Sequence, residues 1–440
     1  MLNRRQFVTS AALAGLATRA PLARAATGAS AFPRGFLWGA STAAYQVEGN
    51  NVGSDIWAAE HAANTPYAEP SGDAANSFAL WPTDLDLVRG LGLNTYRFSL
   101  EWARIEPEPG QFSIAMLDHY KAMIAGCRAR GITPVVTFNH FSTPMWFALK
   151  GGWAHPDSPE LLARFCDRAA RHLADGIGFA TTLNEPNLAG MLVDVLPPEL
   201  GARLVEQDKA MSATIARAHN SPQFLAGNSI WVPDPAVGQA HMLRAHALAR
   251  AAIKAVRGDL PVGVSLAIVD DQATGSPALR DAAREKLYAP WLRAARGDDF
   301  VGVQNYTRQL WGPQGRLPVP PGAPRNDGGE EIYAPSLAGA VRYAHDVARV
   351  PILVTEHGLR SDDDAPRQKF IPAALAALHE VIAQGVPVLG YCHWSLIDNY
   401  EWGFGYAPKF GLHSLDRRSF VRTAKPSAAI YGAIARANAV

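Results

Sequence analysis

Two glutamates occupy positions where carboxylate chemistry is easy to build. Glu185 lies in the run Thr181-Thr182-Leu183-Asn184-Glu185-Pro186, and Glu356 in Val354-Thr355-Glu356-His357-Gly358. Each follows a short apolar, β-branched segment. Pro186 has no N–H to give a strand ladder, so Glu185 falls where a strand has just ended. Taken singly, such a residue is most often a solvated surface group. A pair can do more. One carboxyl group, its pKa raised by a dry or negatively charged setting, can protonate a leaving oxygen. The other, kept ionised, can attack an anomeric carbon or activate water, and together they can cleave a glycoside. Arg97 and the Tyr306 hydroxyl are donors suited to keeping the second group ionised.

The elements that must position these residues follow a regular march. Eight segments read as strands: Phe36–Ala40, Thr95–Leu100, Thr133–Asn139, Phe179–Asn184, Pro261–Ile268, Phe300–Tyr306, Ile352–Glu356 and Val388–Trp394. Between them lie helical patterns such as Leu161–Ala174, His241–Val256, Ala278–Ala295 and Phe370–Gln384. Strand–helix alternation calls for a parallel sheet covered on both faces, and eight such units predict a single α/β domain, a (β/α)₈ TIM barrel, over residues 26–440. Polar and aromatic residues collect at the strand ends: Gln46, Arg97 with Glu101, Asn139-His140, Asn184-Glu185, Asn305-Tyr306, Glu356-His357, and Trp394 with Glu401-Trp402. A barrel places all of them around one mouth. The segment from Leu188 to Val237 shows no clear periodicity and reads as a loop over that mouth. The Pro- and Gly-rich stretch 311–335 reads as a second one.

Composition narrows the function classes. The chain has 440 residues and a formal net charge of +1, so no clustered basic face points to a nucleic-acid partner. Cys127, Cys166 and Cys392 are too few and scattered for a disulfide framework or a zinc site and read as reduced core residues. No His spacing or acidic run, Asp362-Asp363-Asp364 included, has metal-ligand form, so no metal and no cofactor are expected. Arg4-Arg5 precede an alanine-rich apolar run that ends near Ala23-Arg24-Ala25. Residues 1–25 therefore read as a Tat-type signal peptide, and the mature protein is expected in the periplasm or outside the cell. No later stretch approaches the ~20 apolar residues of a membrane span. Nothing in the sequence sets the oligomeric state.

Six motifs, in order, carry a specific resemblance. They are Phe36 through Gly49 (FLWGASTAAYQVEG), Tyr96-Arg97-Phe98-Ser99, Asn184-Glu185-Pro186, Thr355-Glu356-His357-Gly358, Trp394 through Trp402 (WSLIDNYEW), and Phe410-Gly411-Leu412. Over essentially the whole mature length the chain resembles family 1 of the glycoside hydrolases, the β-glucosidase and β-galactosidase family. The resemblance implies a retaining double displacement, with Glu185 as acid/base and Glu356 as nucleophile. It implies that Gln46, His140, Glu401 and Trp402 bind sugar hydroxyls, that Trp394 stacks beneath the ring, and that Asn184 holds the 2-hydroxyl. Tyr306 and Arg97 orient and charge-stabilise Glu356, with Asn305 a supporting residue. Arg97 also has a structural reading, an ion pair with Glu101. The implied partner is a glycoside or oligosaccharide, and the implied activity that of an exo-acting β-glucosidase.

Some residues depart from the family pattern. His357 stands where Asn is usual, which is expected to alter the surroundings of the nucleophile. Phe141 follows His140 where Trp is common. The Leu188–Val237 segment and the stretch after Tyr306 diverge, leaving the aglycone open, with Trp231 and Trp311 as candidates for the leaving-group side. Other readings are a β-galactosidase, β-fucosidase or transglycosidase of the same family, and an inactive sugar-binding relative. Such relatives lose a catalytic carboxylate, and this chain keeps both. A 6-phosphoglycosidase is disfavoured because Glu401 would repel a phosphate.

Overall fold

The computed structural model describes residues 30–440 apart from residue 197, so the expected signal peptide lies outside the described residues. Eight parallel strands close into a barrel: β1 Leu37–Ser41, β2 Thr95–Ser99, β3 Thr133–Asn139, β4 Phe179–Asn184, β5 Val262–Ala267, β6 Phe300–Asn305, β7 Ile352–His357 and β8 Val388–Trp394. Each pairs with its sequence neighbours, and β1 pairs with β8, Ser41 opposite Trp394, to complete the ring. Alternation sorts the side chains. Val135, Phe300 and Leu353, with Leu37, Phe179 and Leu389, form an apolar plug inside the barrel. The outward residues pack on the surrounding helices in one continuous core. Helix Ser158–Leu173 shows how the outer layer forms. Leu162, Phe165, Cys166, Ala169, Ala170 and Leu173 recur at helical spacing and are buried. All three cysteines are buried free thiols.

Both glutamate-bearing strands break register before their ends. β4 slips against β5 between Thr181 and Asn184, and β7 slips against β6 between Val354 and Glu356. A bulge lets consecutive side chains depart from strict alternation and re-aims one of them. In β7, Leu353 joins the axial plug, Thr355 Oγ1 sits beside Gly302 and Ser265, and Glu356 turns inward as well.

Three expectations change. Leu188–Val237 is not a loop: it holds helices Leu188–Val195 and Pro198–Ala218 and the start of helix Pro235–Val256. The pattern at Ala278–Ala295 is two helices, Ala278–Leu287 and Ala289–Ala294, parted at Tyr288. Pro290 explains the break, because it offers no N–H and crowds the preceding turn. The 311–335 stretch begins in a small sheet, where Arg308–Gly312 pairs with Asp270–Ala273 and Gly315–Arg316, and continues without helix or strand to Pro335. Among the described residues no helix is long and apolar enough to cross a membrane.

Candidate active site

The barrel mouth is organised around Arg97, fully buried within β2. Its Nη1 donates to Glu356 Oε1 at 2.5 Å and its Nη2 to Asn184 Oδ1 at 2.5 Å. The Tyr306 hydroxyl donates to the other Glu356 oxygen, Oε2, at 2.8 Å. Both oxygens of Glu356 therefore accept from fixed donors. Arg97 does not pair with Glu101, whose Oε2 instead accepts from Ser142 Oγ at 2.7 Å.

Asn184 also accepts from Gln304 Nε2 at 2.8 Å, so its Oδ1 is identified by two donors and its Nδ2 faces His140 Nε2 at 3.0 Å. That contact fixes the imidazole. Nε2 accepts, so Nδ1 carries the proton, and Nδ1 is buried with no protein partner. Gln46 is the matching case. Its Nε2 lies 3.0 Å from Asn399 Oδ1, 2.7 Å from Tyr400 O and 3.3 Å from Glu401 Oε2, leaving Oε1 buried and unpartnered. A buried donor and a buried acceptor without partners are what a polyhydroxylated ligand satisfies. Trp394 Nε1 donates to Glu401 Oε1 at 3.2 Å. The Trp402 ring stacks between Tyr45 (5.7 Å, 15°) and His140 (6.1 Å, 19°), with the Phe141 ring edge-on at 5.2 Å.

Glu185 has φ 43°, a left-handed backbone that costs a non-glycine residue about 1–3 kcal/mol and is held by Glu185 N donating to Ser265 O at 2.8 Å. Beyond Glu185 opens a cavity of about 470 Å³ between helix Leu188–Val195, residues 225–232 and the start of helix Pro235–Val256. Phe141 lines it. Trp231 and Trp311 do not. Trp311 is committed elsewhere, donating Nε1 to Asp271 Oδ1 at 2.6 Å beneath the Arg316 guanidinium.

The model of the family described as Glycosyl hydrolase family 1 matches residues 29–286 and 319–440, most of the chain. The chain belongs to glycosyl hydrolase family 1. Among family 1 relatives it is 28% identical to a beta-glucosidase of Agrobacterium sp. (strain ATCC 21400), covering 92% of this chain and 96% of that one. It is 27% identical to a bifunctional beta-D-glucosidase/beta-D-fucosidase of Bifidobacterium breve, covering 90% and 96%. The apo structure of a beta-glucosidase superposes with TM-score 0.87 at 41% identity, covering 92% and 98%. The crystal structure of a beta-glycosidase superposes with TM-score 0.85 at 44% identity, covering 93% and 98%. The protein is thus a β-glycosidase with the family 1 barrel. The unmatched segment between residues 286 and 319 contains β6 and Tyr306, so Tyr306 is placed by its bond to Glu356 rather than by the family match.

The electrostatics of this family 1 site separate its carboxyls. Burial and then the charge of Glu356 push the Glu185 pKa well above the ordinary value, and no hydrogen bond to its charged form offsets them. Burial also pushes Glu356 upward, but the Arg97 charge and the hydrogen bonds from Tyr306 and Arg97 pull it back. Glu401 rises to about 8, chiefly by burial and also through Glu356. His140 is pushed well down by burial and the Arg97 charge, so its ring is neutral.

One sequence expectation is corrected here. His357 faces away from the site: Nδ1 meets the Tyr391 hydroxyl at 2.9 Å and the ring stacks on Phe370 at 4.9 Å. It therefore does not alter the contacts of Glu356. Asn305 also faces away, Nδ2 donating to Ile268 O at 2.8 Å while Oδ1 accepts from Ser336 Oγ at 2.8 Å, and it supports the site only by tying strand ends together. Gln304 and Asn399 were missed. For Gln304 a signal existed: Phe300, Gly302, Gln304 and Tyr306 share one parity of alternation, and Phe300 belongs to the axial plug.

Proposed function

We propose that this enzyme is a retaining exo-β-glycosidase that hydrolyses terminal β-D-glucosyl residues from oligosaccharides or aryl and alkyl glycosides. The observation that carries the reading is the asymmetry of the two carboxyls. Glu356 has both oxygens hydrogen-bonded, one to a guanidinium, and is prepared as an anion. Glu185 lacks such donors and is driven toward its protonated form.

The steps follow from these states. A Glu356 oxygen attacks the anomeric carbon as Glu185 transfers its proton to the departing glycosidic oxygen, giving a covalent glycosyl ester and the free alcohol. Glu185, now ionised, takes a proton from water. The hydroxide portion attacks the same carbon, and Glu356 is released as carboxylate. In the sugar pocket, His140 Nδ1–H donates and Gln46 Oε1 accepts at ring hydroxyls, Asn184 holds the 2-hydroxyl, Glu401 and Trp402 bind further hydroxyls, and Trp394 stacks on the ring. The glucoside preference is supported by the beta-glucosidases among the family 1 relatives. A 2-deoxy-2-fluoro-β-glucoside with a good leaving group tests the reading. One glycosyl unit should accumulate on the peptide containing Glu356. Absence of a covalent adduct, or an adduct elsewhere, would contradict it.

We also propose export of the folded enzyme, supported by Arg4-Arg5 and the Ala23-Arg24-Ala25 site. Arg4→Lys with Arg5→Lys should retain the enzyme in the cytoplasm of a Tat-competent host, and unchanged export would refute this route.

A further inference from the structure

Past Glu185, the walls of the 470 Å³ cavity are mostly apolar. Leu188, Leu192, Val193 and Met242 supply aliphatic surface on several sides, and Phe141 and Trp291 add aromatic surface. Leu192 and Val193 line the cavity and are 36% and 44% exposed, so the apolar lining continues outward to a rim at solvent. The polar side chains on the walls are mostly engaged by protein. Asn187 holds Ala267 through both its oxygen and its nitrogen, Asn139 donates to Ser142 O, and the Ser229 hydroxyl donates to Asp208 Oδ2. Asn228 donates to the Tyr67 hydroxyl at 3.3 Å. Lys286, the cationic group on the wall, pairs with Asp194 at 2.8 Å, and Asp194 also binds Arg316 at 2.8 Å, which fixes the helix Leu188–Val195 over the cavity. Gln239 is left at the half-exposed edge.

A second sugar in this space would bring several hydroxyls to walls with few groups free to bond them, and each unmatched polar group opposes binding. An aliphatic group would bury carbon against carbon and need no partner. We propose that the leaving-group side of this site is built for an aliphatic alcohol, alkyl or alicyclic, rather than for a second sugar. This rests on Glu185 acting as the acid that faces the leaving oxygen, and it names the class of group bonded to that oxygen.

The test is a kcat/KM series on the purified full chain with 4-nitrophenyl, methyl, butyl and octyl β-glucosides and cellobiose. Each methylene buried contributes roughly two- to fourfold, so octyl glucoside should exceed methyl glucoside by at least about tenfold and should also exceed cellobiose. Val193→Asn, at a partly exposed and tolerant position, should lower the octyl-to-methyl ratio by about threefold or more. A ratio near one, or cellobiose cleaved as well as octyl glucoside, would overturn the proposal while nitrophenol release left the glycosidase reading standing. If sedimentation showed a dimer that Val193→Asn converts to monomer, with the ratio unchanged, the apolar rim would be a subunit interface and the proposal would fall. Failure to release nitrophenol would defeat the proposed function and this inference with it.

Discussion

Arg97 Nη1 stands 2.5 Å from Glu356 Oε1, with both side chains closed off from solvent. The same guanidinium holds Asn184, the residue before Glu185, so one cation from β2 ties the ends of β4 and β7 together. Buried in this way, the pair is specified by geometry, and removing either partner leaves an uncompensated charge or dipole.

Arg97→Lys keeps the charge but loses the two-pronged reach. We expect kcat/KM to fall by about 100-fold or more, the range for losing one preorganised charge-stabilising donor. With Glu356 less favoured as an anion, the acidic limb of the pH profile should move to higher pH. A uniform loss of activity with an unmoved limb would show that Arg97 acts on folding alone.

Glu185→Ala should slow poor leaving groups far more than activated aryl ones, since good leaving groups need little protonation. Because the Glu185 pKa is raised, the protonated acid persists toward neutral pH, and its deprotonation sets the basic limb. That limb should disappear in the variant. Equal losses on alkyl and nitrophenyl glycosides would contradict the assignment.

Glu101 supplies a test of stability. Burial pushes its pKa from 4.5 to about 7, so its contribution is fully present below pH 4.5 and is lost as the pH rises through about 7. The loss amounts to about 3 kcal/mol. Glu101→Gln, which cannot ionise, should therefore resist unfolding better than the parent at pH 8 relative to pH 5. Parallel denaturation midpoints at the two pH values would refute it.

For His357 the sign is opposite. Burial lowers its pKa to about 3, so its contribution is present above pH 6.5 and is lost as the pH falls toward 3. His357→Asn should make stability less sensitive to acid. It should change kcat/KM by less than tenfold, under ~1.4 kcal/mol of barrier, because the ring touches Tyr391 and Phe370 and not Glu356.

Barrel and carboxylates were legible because their signals are local: β-branched runs ending in polar residues reveal strands and their mouths. Helix Leu188–Val195 was not, since it lines a cavity with Leu188 and exposes Leu192 and Val193 at the rim, which leaves no polar face to mark the period. Helix Pro198–Ala218 was missed for a related reason, burying Met211, Ile215 and Ala216 only in its second half. His357 misled because its neighbour is Glu356, the proposed nucleophile. The register slip in β7 turns Glu356 inward while His357 points outward, and no composition rule reports a bulge.

The most direct measurement follows the stereochemistry of the first product. With a nitrophenyl β-glucoside, proton NMR within the first minutes of reaction resolves the anomeric signals of the released sugar before mutarotation mixes them. Attack by Glu356 with Glu185 as the acid/base requires two inversions, so the β-anomer should appear first and the α-anomer only later. Initial release of the α-anomer would mean a single displacement by water and would contradict the assignment of Glu356 as nucleophile.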